Sequence, residues 1–153
     1  VMNIAALQRK QLSGKIAQYE SLTRALPPAG GWIKAIRTSL GISLEQLGNK
    51  LGISRQSAMA LEVREQSQSI TLRSLSEAAE ALDMKLVYAL VPKDGTLEAL
   101  IERKAEELAR KIVTRTSQSM KLEGQENSAR RLAEAFEERK TEILQKLPKA
   151  LWD

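Results

Sequence analysis

The chain has neither cysteine nor histidine in 153 residues. Disulfide frameworks and Cys/His metal sites are therefore excluded. So are Ser-His-Asp and Cys-His nucleophile systems. Carboxylate or lysine chemistry stays formally open, but no glycine-rich phosphate loop accompanies it. No catalytic residue, metal or cofactor is expected, and the chain reads as a non-enzyme. Aromatics make up only 3% of the sequence, so the core must be built from Leu, Ile, Val and Ala. That composition favours packed helices over a sandwich or barrel. No apolar run approaches the ~20 residues of a membrane span. Arg9, Lys10 and Lys15 interrupt the first apolar positions, so no signal-peptide pattern opens the chain. A cytoplasmic protein with no membrane partner is the expectation. The net charge of +5 is compatible with a nucleic-acid partner without demanding one.

What is present centres on residues 43–62. Ser43 precedes an apolar run and Gln46 follows three residues later, the arrangement of a capping box. Leu44, Leu47 and Leu51 then fall on one helical face. Gly52 stops that helix, because glycine accepts the left-handed conformation without a side-chain clash. Ile53 is an apolar plug, and Ser54 can cap a second helix that buries Ala58 and Leu61. Two short helices joined by a tight turn make a helix-turn-helix. The second helix opens Arg55-Gln56-Ser57, polar types suited to base edges and phosphates. Ser54, Arg55, Gln56, Ser57 and Ala60 are the candidate DNA-binding residues. Arg55 is placed to fork onto guanine, Gln56 onto adenine, and Ala60 to touch a thymine methyl. A homodimer would present two such helices about one DNA turn apart, so the operator should be an inverted repeat.

The fold class expected is mainly α: a helix-turn-helix domain with a short strand and a C-terminal helical extension. Residues 1–30 read as a basic helix or arm, with Arg9, Lys10, Lys15 and Arg24 against Glu20 alone. The amphipathic stretch at 4–26 lies either near DNA phosphates or against the body or a second subunit. After the break at Pro27–Gly31, residues 31–92 form the DNA-binding domain. Trp32 reads as a core anchor, and Ile33, Ile36 and Leu40 as the inward face of a supporting helix. Residues 63–69 read as a loop, and Leu72, Leu75, Ala79 and Leu82 mark a further helix. Lys85–Val91, rich in β-branched and aromatic residues, reads as a strand. A lone strand needs a partner, across a dimer or elsewhere in the chain. Residues 93–153 form a helical region. There Thr96 caps a helix lined by Leu97, Ile101, Leu108 and Ile112, and Leu132, Phe136, Ile143 and Leu147 mark a last helix stopped by Pro148.

Residues 31–62 resemble the Xre/Cro-type helix-turn-helix of bacterial and phage regulators, similar to the lambda-repressor-like fold. Pro27–Leu40, Ile70–Leu75, Leu86–Pro92 and the terminal Leu151-Trp152-Asp153 extend the likeness. Together these stretches resemble the mobile mystery protein A family. The resemblance implies a neighbouring partner with a Fic domain, mobile mystery protein B-like, in a toxin–antitoxin module. Ser119-Met120-Lys121-Leu122-Glu123-Gly124 is similar to the Fic inhibition motif, a Ser or Thr, three residues, then Glu and Gly or Asn. Fic enzymes transfer AMP from ATP to a hydroxyl side chain. By resemblance, Glu123 enters the partner's nucleotide site and pairs with the arginine that otherwise holds the ATP γ-phosphate. Carboxylate and phosphate compete for the same planar guanidinium fork. Ser119 lies one helical turn before Glu123 on the same face, and Gly124 removes a side chain that would crowd the partner.

Two readings follow. In one, the chain binds operator DNA and silences a Fic AMP-transferase, acting as antitoxin and autoregulator. In the other, it is a plain transcription regulator whose C-terminal helices only dimerise.

Overall fold

A computed structural model describes residues 3–122 and 129–153. In chain order its helices are α1 (Ile4–Ala17), α2 (Trp32–Ser39), α3 (Leu44–Leu51), α4 (Arg55–Gln66), α5 (Leu72–Ala81), α6 (Leu97–Leu122) and α7 (Ala129–Lys146). Single 3-10 turns occur at Glu20–Arg24 and Lys149–Trp152. Ser21–Ala89 forms one compact unit; the chain ahead of Ser21 and Leu90–Asp153 form another. Among the described residues, no helix is long and apolar enough to cross a membrane.

In the unit Ser21–Ala89 four helices enclose one core. Ile33, Leu47, Ala58, Ala78 and Leu82 are buried at its centre, and Ile36, Ile42, Leu44, Leu51, Ile53, Ile70 and Leu75 pack around them. Each helix start is set by a local device. The Ser43 hydroxyl accepts from Gln46 N at 3.0 Å and Gln46 Oε1 accepts from Ser43 N at 2.8 Å, closing the capping box on α3. Ser54 caps α4 and Thr71 caps α5 in the same N-terminal manner, each bonding an amide three residues on at 3.0 Å. These bonds satisfy amides that the helix geometry leaves without a partner.

The other unit is a helical hairpin. Ile101, Ala105 and Ala109 recur at i+4 along α6 and pack with Ile143 of α7 and Leu151 of the final turn. Leu108, Ile112, Phe136 and Leu147 close in around them. The start of α6 is fixed by Thr96, whose hydroxyl accepts from Ala99 N at 3.1 Å. In α1 no residue is buried.

The expected mainly helical class holds, but four details differ. Met84–Pro92 forms no strand: the backbone runs without regular structure, because no other described segment lies beside it to complete a ladder. Trp32 is 54% exposed rather than a core anchor. It opens α2, and the inward positions of that helix belong to Ile33 and Arg37. The stretch 63–69 is not all loop, since α4 runs on to Gln66 and turns at Gln68, whose φ is +61°. The N-terminal helix ends at Ala17 instead of continuing to residue 26.

Candidate nucleic-acid interface

The turn between α3 and α4 begins at Gly52, whose φ of +69° lies in the left-handed region. Ile53 N then bonds back to Gly48 O at 2.8 Å, folding the turn tightly against α3. That closeness makes a second glycine necessary. A Cβ on the buried Gly48 would stand 2.7 Å from Ile53 O and 3.1 Å from Ser54 O, both backbone atoms. Gly52 is required by its conformation, and Gly48 by space.

The inner side of α4 is pinned to α2 through charge. Arg37 donates from Nε to Glu62 Oε2 at 2.6 Å and from Nη2 to Glu62 Oε1 at 3.1 Å, a two-bond fork with both side chains buried. Its Nη1 donates to Ile42 O at 2.9 Å and ties in the loop ahead of α3. One turn on, Glu65 accepts from Trp32 N at 2.7 Å and Ile33 N at 2.9 Å. Gly31 provides no side chain to cap α2, so a carboxylate from α4 does so and meets the positive end of the helix dipole. Gly31 itself, at φ +90°, lies so close that a Cβ would stand 2.9 Å from the Glu65 carboxyl group. Gln66 Nε2 adds a bond to Gly30 O at 3.0 Å.

Sequence reasoning missed these anchors. Their signal was nevertheless present: Arg37 follows Ile33, and Glu62 follows Ala58, at the i+4 spacing that keeps a residue on the inward stripe. Opposite charges on two facing stripes form a pair.

With its inner side held, α4 turns its first-turn polar residues outward. Arg55, Gln56 and Ser57 are all exposed. Arg55 has no hydrogen-bond or ion-pair partner among the described residues, whereas Arg37 uses three of its donors. Ser54 is engaged within the turn: its hydroxyl accepts from Ser57 N and donates to Ser57 Oγ at 3.0 Å. Ala60 is half-buried one turn beyond Gln56. The sequence reading passed over Met59 and Val63, which are 43% and 54% exposed and follow Arg55 at i+4 and i+8. The unit as a whole is weakly basic, with eight Lys and Arg against six Asp and Glu across Ser21–Ala89.

In the hairpin, Ser119 belongs to the last turn of α6, while Glu123 and Gly124 lie outside the described residues. The two helices that flank this stretch are joined by ion pairs. Lys140 of α7 donates to Glu102 at 3.1 Å and Glu106 at 3.0 Å, both on α6. The hydrogen bond to Glu106, then that to Glu102, raises the pKa of Lys140. At the base of α6, Arg103 forks onto Asp94 at 2.7 and 3.1 Å and donates to Glu107 at 3.0 Å. The Arg103 hydrogen bond is the main cause holding Asp94, and likewise Glu107, below the ordinary carboxylate value. Arg110 lies over the Phe136 ring at 5.8 Å, within cation–π range. A groove of about 430 Å³ runs between the helices past Ile112, Thr116, Leu132 and Arg139.

Residues 33–88 match the helix-turn-helix family model. The match spans α2 to α5 and supports an Xre/Cro-type DNA-binding domain, the type found in transcription regulators. Among curated proteins and solved structures, none matches the chain.

Proposed function

We propose that this chain is the antitoxin and autoregulator of a two-protein module in the cytoplasm, binding operator DNA with α4 and silencing a Fic-domain AMP-transferase with Glu123. The observation that carries the DNA half is the division of labour on α4. Glu62, Glu65 and Gln66 fix its inner side to α2 and the segment before it, while Arg55, Gln56 and Ser57 stand free on its exposed first turn. A rigidly held helix with unpaired polar groups at its start suits the major groove. Arg55 forks onto guanine O6 and N7, Gln56 onto adenine, and Ser57 donates its own hydroxyl proton to a base or phosphate. Ser54 acts chiefly as the cap that orients this turn. Met59 joins Ala60 as an apolar group for thymine methyls. A homodimer on an inverted repeat brings two such helices to one face of the duplex.

The inhibitory half rests on the resemblance of Ser119–Gly124 to the Fic inhibition motif and of the wider chain to the mobile mystery protein A family. The position of this stretch between two long, ion-paired helices supports the reading. Such helices can dock along a partner and deliver one carboxylate to its nucleotide site.

Transfer of labelled AMP by the co-purified pair is the test. Glu123→Gly should leave the complex and operator binding intact and release AMP transfer. Glu123→Gln should release it partially, because a neutral acceptor makes a bond roughly half as strong as a charged one. Equal labelling by wild type and Glu123→Gly, with both complexes formed, leaves the plain regulator in place of the antitoxin.

A further inference from the structure

From Lys85 to Ala89 the chain runs along the unit Ser21–Ala89 without regular structure. Among the described residues no backbone amide or carbonyl of this stretch finds a partner; the last such bond before it runs from Met84 N to Ala79 O. Val87 is 58% and Tyr88 67% exposed. Beside them lies an apolar groove of about 400 Å³, lined by Trp32, Ile36, Leu75, Met84, Leu86 and Val87. A row of β-branched and aromatic residues with unpaired backbone groups is a template for another strand.

We infer that the occupant is the same segment of a second copy, paired antiparallel across a two-fold axis at Val87. This rests on the dimeric DNA-binding reading above and identifies its interface. Three observations select a second copy. First, an antiparallel ribbon of one segment with itself is self-complementary, as a two-fold interface requires. Second, charge sets the register. With Val87 on the axis, Leu86 faces Tyr88 and Lys85 faces Ala89, so the two lysines of the dimer do not oppose each other, a pairing that would be destabilising. Third, the exposed area is of the right order. Trp32 and Tyr88, aromatic side chains of 150–250 Å² and both more than half exposed, offer roughly 200–250 Å² per protomer. That is more than a quarter of the ~800 Å² per partner of a standard interface, before Met84, Val87 and the backbone are added.

The experiment is sedimentation velocity on the full chain at tens of micromolar, without DNA. Wild type should run at twice the 17.0 kDa chain mass. Val87→Pro removes the ladder donor and disfavours pairing. It should run as a monomer with unchanged helical circular dichroism, because Val87 belongs to no helix. The absence of native cysteine permits a second arm that leaves the backbone unaltered. On the axis, two Val87→Cys side chains meet with Cβ atoms about 4.5–5.5 Å apart and should oxidise to a covalent dimer. Lys85→Cys side chains would lie about 14 Å apart at 3.4 Å per residue, beyond the reach of a disulfide, and should not. A monomeric wild type, a Val87→Pro dimer, or equal cross-linking at both positions would overturn the proposal. None of these readouts involves operator or AMP transfer. Loss of operator recognition alone would therefore sink the functional reading and leave the interface standing.

Discussion

Cutting the Arg37–Glu62 pair should nearly unfold the DNA-binding unit, whereas replacing both partners should not. The two side chains are only 10% and 6% exposed. Glu62→Ala removes both acceptor oxygens and leaves a buried guanidinium with Ile42 O as its remaining acceptor. Removing one partner of a buried pair costs about 3–5 kcal/mol. The unit from Ser21 to Ala89 spans 69 residues, and at about 0.05–0.15 kcal/mol per residue its total stability is about 3–10 kcal/mol. One substitution thus consumes a third or more of the whole. Arg37→Ala should cost a similar amount, since it strands Glu62. The double variant Arg37→Met, Glu62→Leu leaves neither charge uncompensated. It should lose far less than the sum of the single losses, because well-packed apolar replacements of buried pairs are often neutral. The assay is urea unfolding followed by Trp32 fluorescence in a Trp152→Phe background, so that only this unit is reported. Single losses below 1 kcal/mol, or a double loss equal to their sum, would refute the argument that one buried pair locks α4 to α2.

Other consequences can be measured in the same way. Gly48→Ala should destabilise by about 1–3 kcal/mol through overpacking and weaken operator binding, whereas Gly52→Ala should cost about 1–2 kcal/mol from left-handed strain alone; indifference to Gly48→Ala in a melting curve would show that the turn is looser than 2.7 Å implies. Arg55→Ala should cost about 1–3 kcal/mol for the correct operator; an equal loss on random DNA, read by gel shift, would make it a phosphate contact. Leu151→Ala should destabilise the hairpin by about 2–5 kcal/mol, since Leu151 is 3% exposed; the check is Trp152 fluorescence in a Trp32→Phe background. For the hairpin carboxylates the sign follows from their depressed pKa values. Asp94 and Glu107 bind protons less readily folded than unfolded, so their contribution is complete above their ordinary values near 4 and is lost as pH falls through the folded values. Hairpin melting temperatures should be flat above about pH 5 and decline below about pH 4, and a rise on acidification would contradict the ion-pair assignment.

The helix-turn-helix was legible because each of its signals is local. Ser43, Gln46, Gly52 and Ser54 act on atoms within a few residues of themselves, so spacing alone reveals them. The inward stripes of α6 and α7 were legible for a similar reason, periodicity being a property of one segment. Long-range geometry was hidden. Gly48 is forced by a carbonyl that returns from the turn, Glu65 caps a helix more than thirty residues earlier, and Trp32 is exposed because its neighbours Ile33 and Arg37 take the inward positions. The segment after Met84 has strand-like composition, but a strand exists only where a second one lies beside it. Of the candidate site, Arg55, Gln56 and Ser57 stand exposed on one turn; Glu123 and Gly124 lie beyond what the structure describes.

The division of the chain also sets a timetable during synthesis. All the residues that build the first core, from Ile33 to Leu82, are contiguous, so that unit can fold as soon as its last helix leaves the ribosome. The hairpin cannot close so early. Ile101 packs in a core completed by Leu151, and at about 5–20 residues per second those fifty residues take about 3–10 s to appear. For that interval the nascent chain presents a finished helix-turn-helix followed by a half-built helix with an uncovered apolar stripe. A partner protein made nearby would meet this stripe before the chain's own C-terminal turn can cover it.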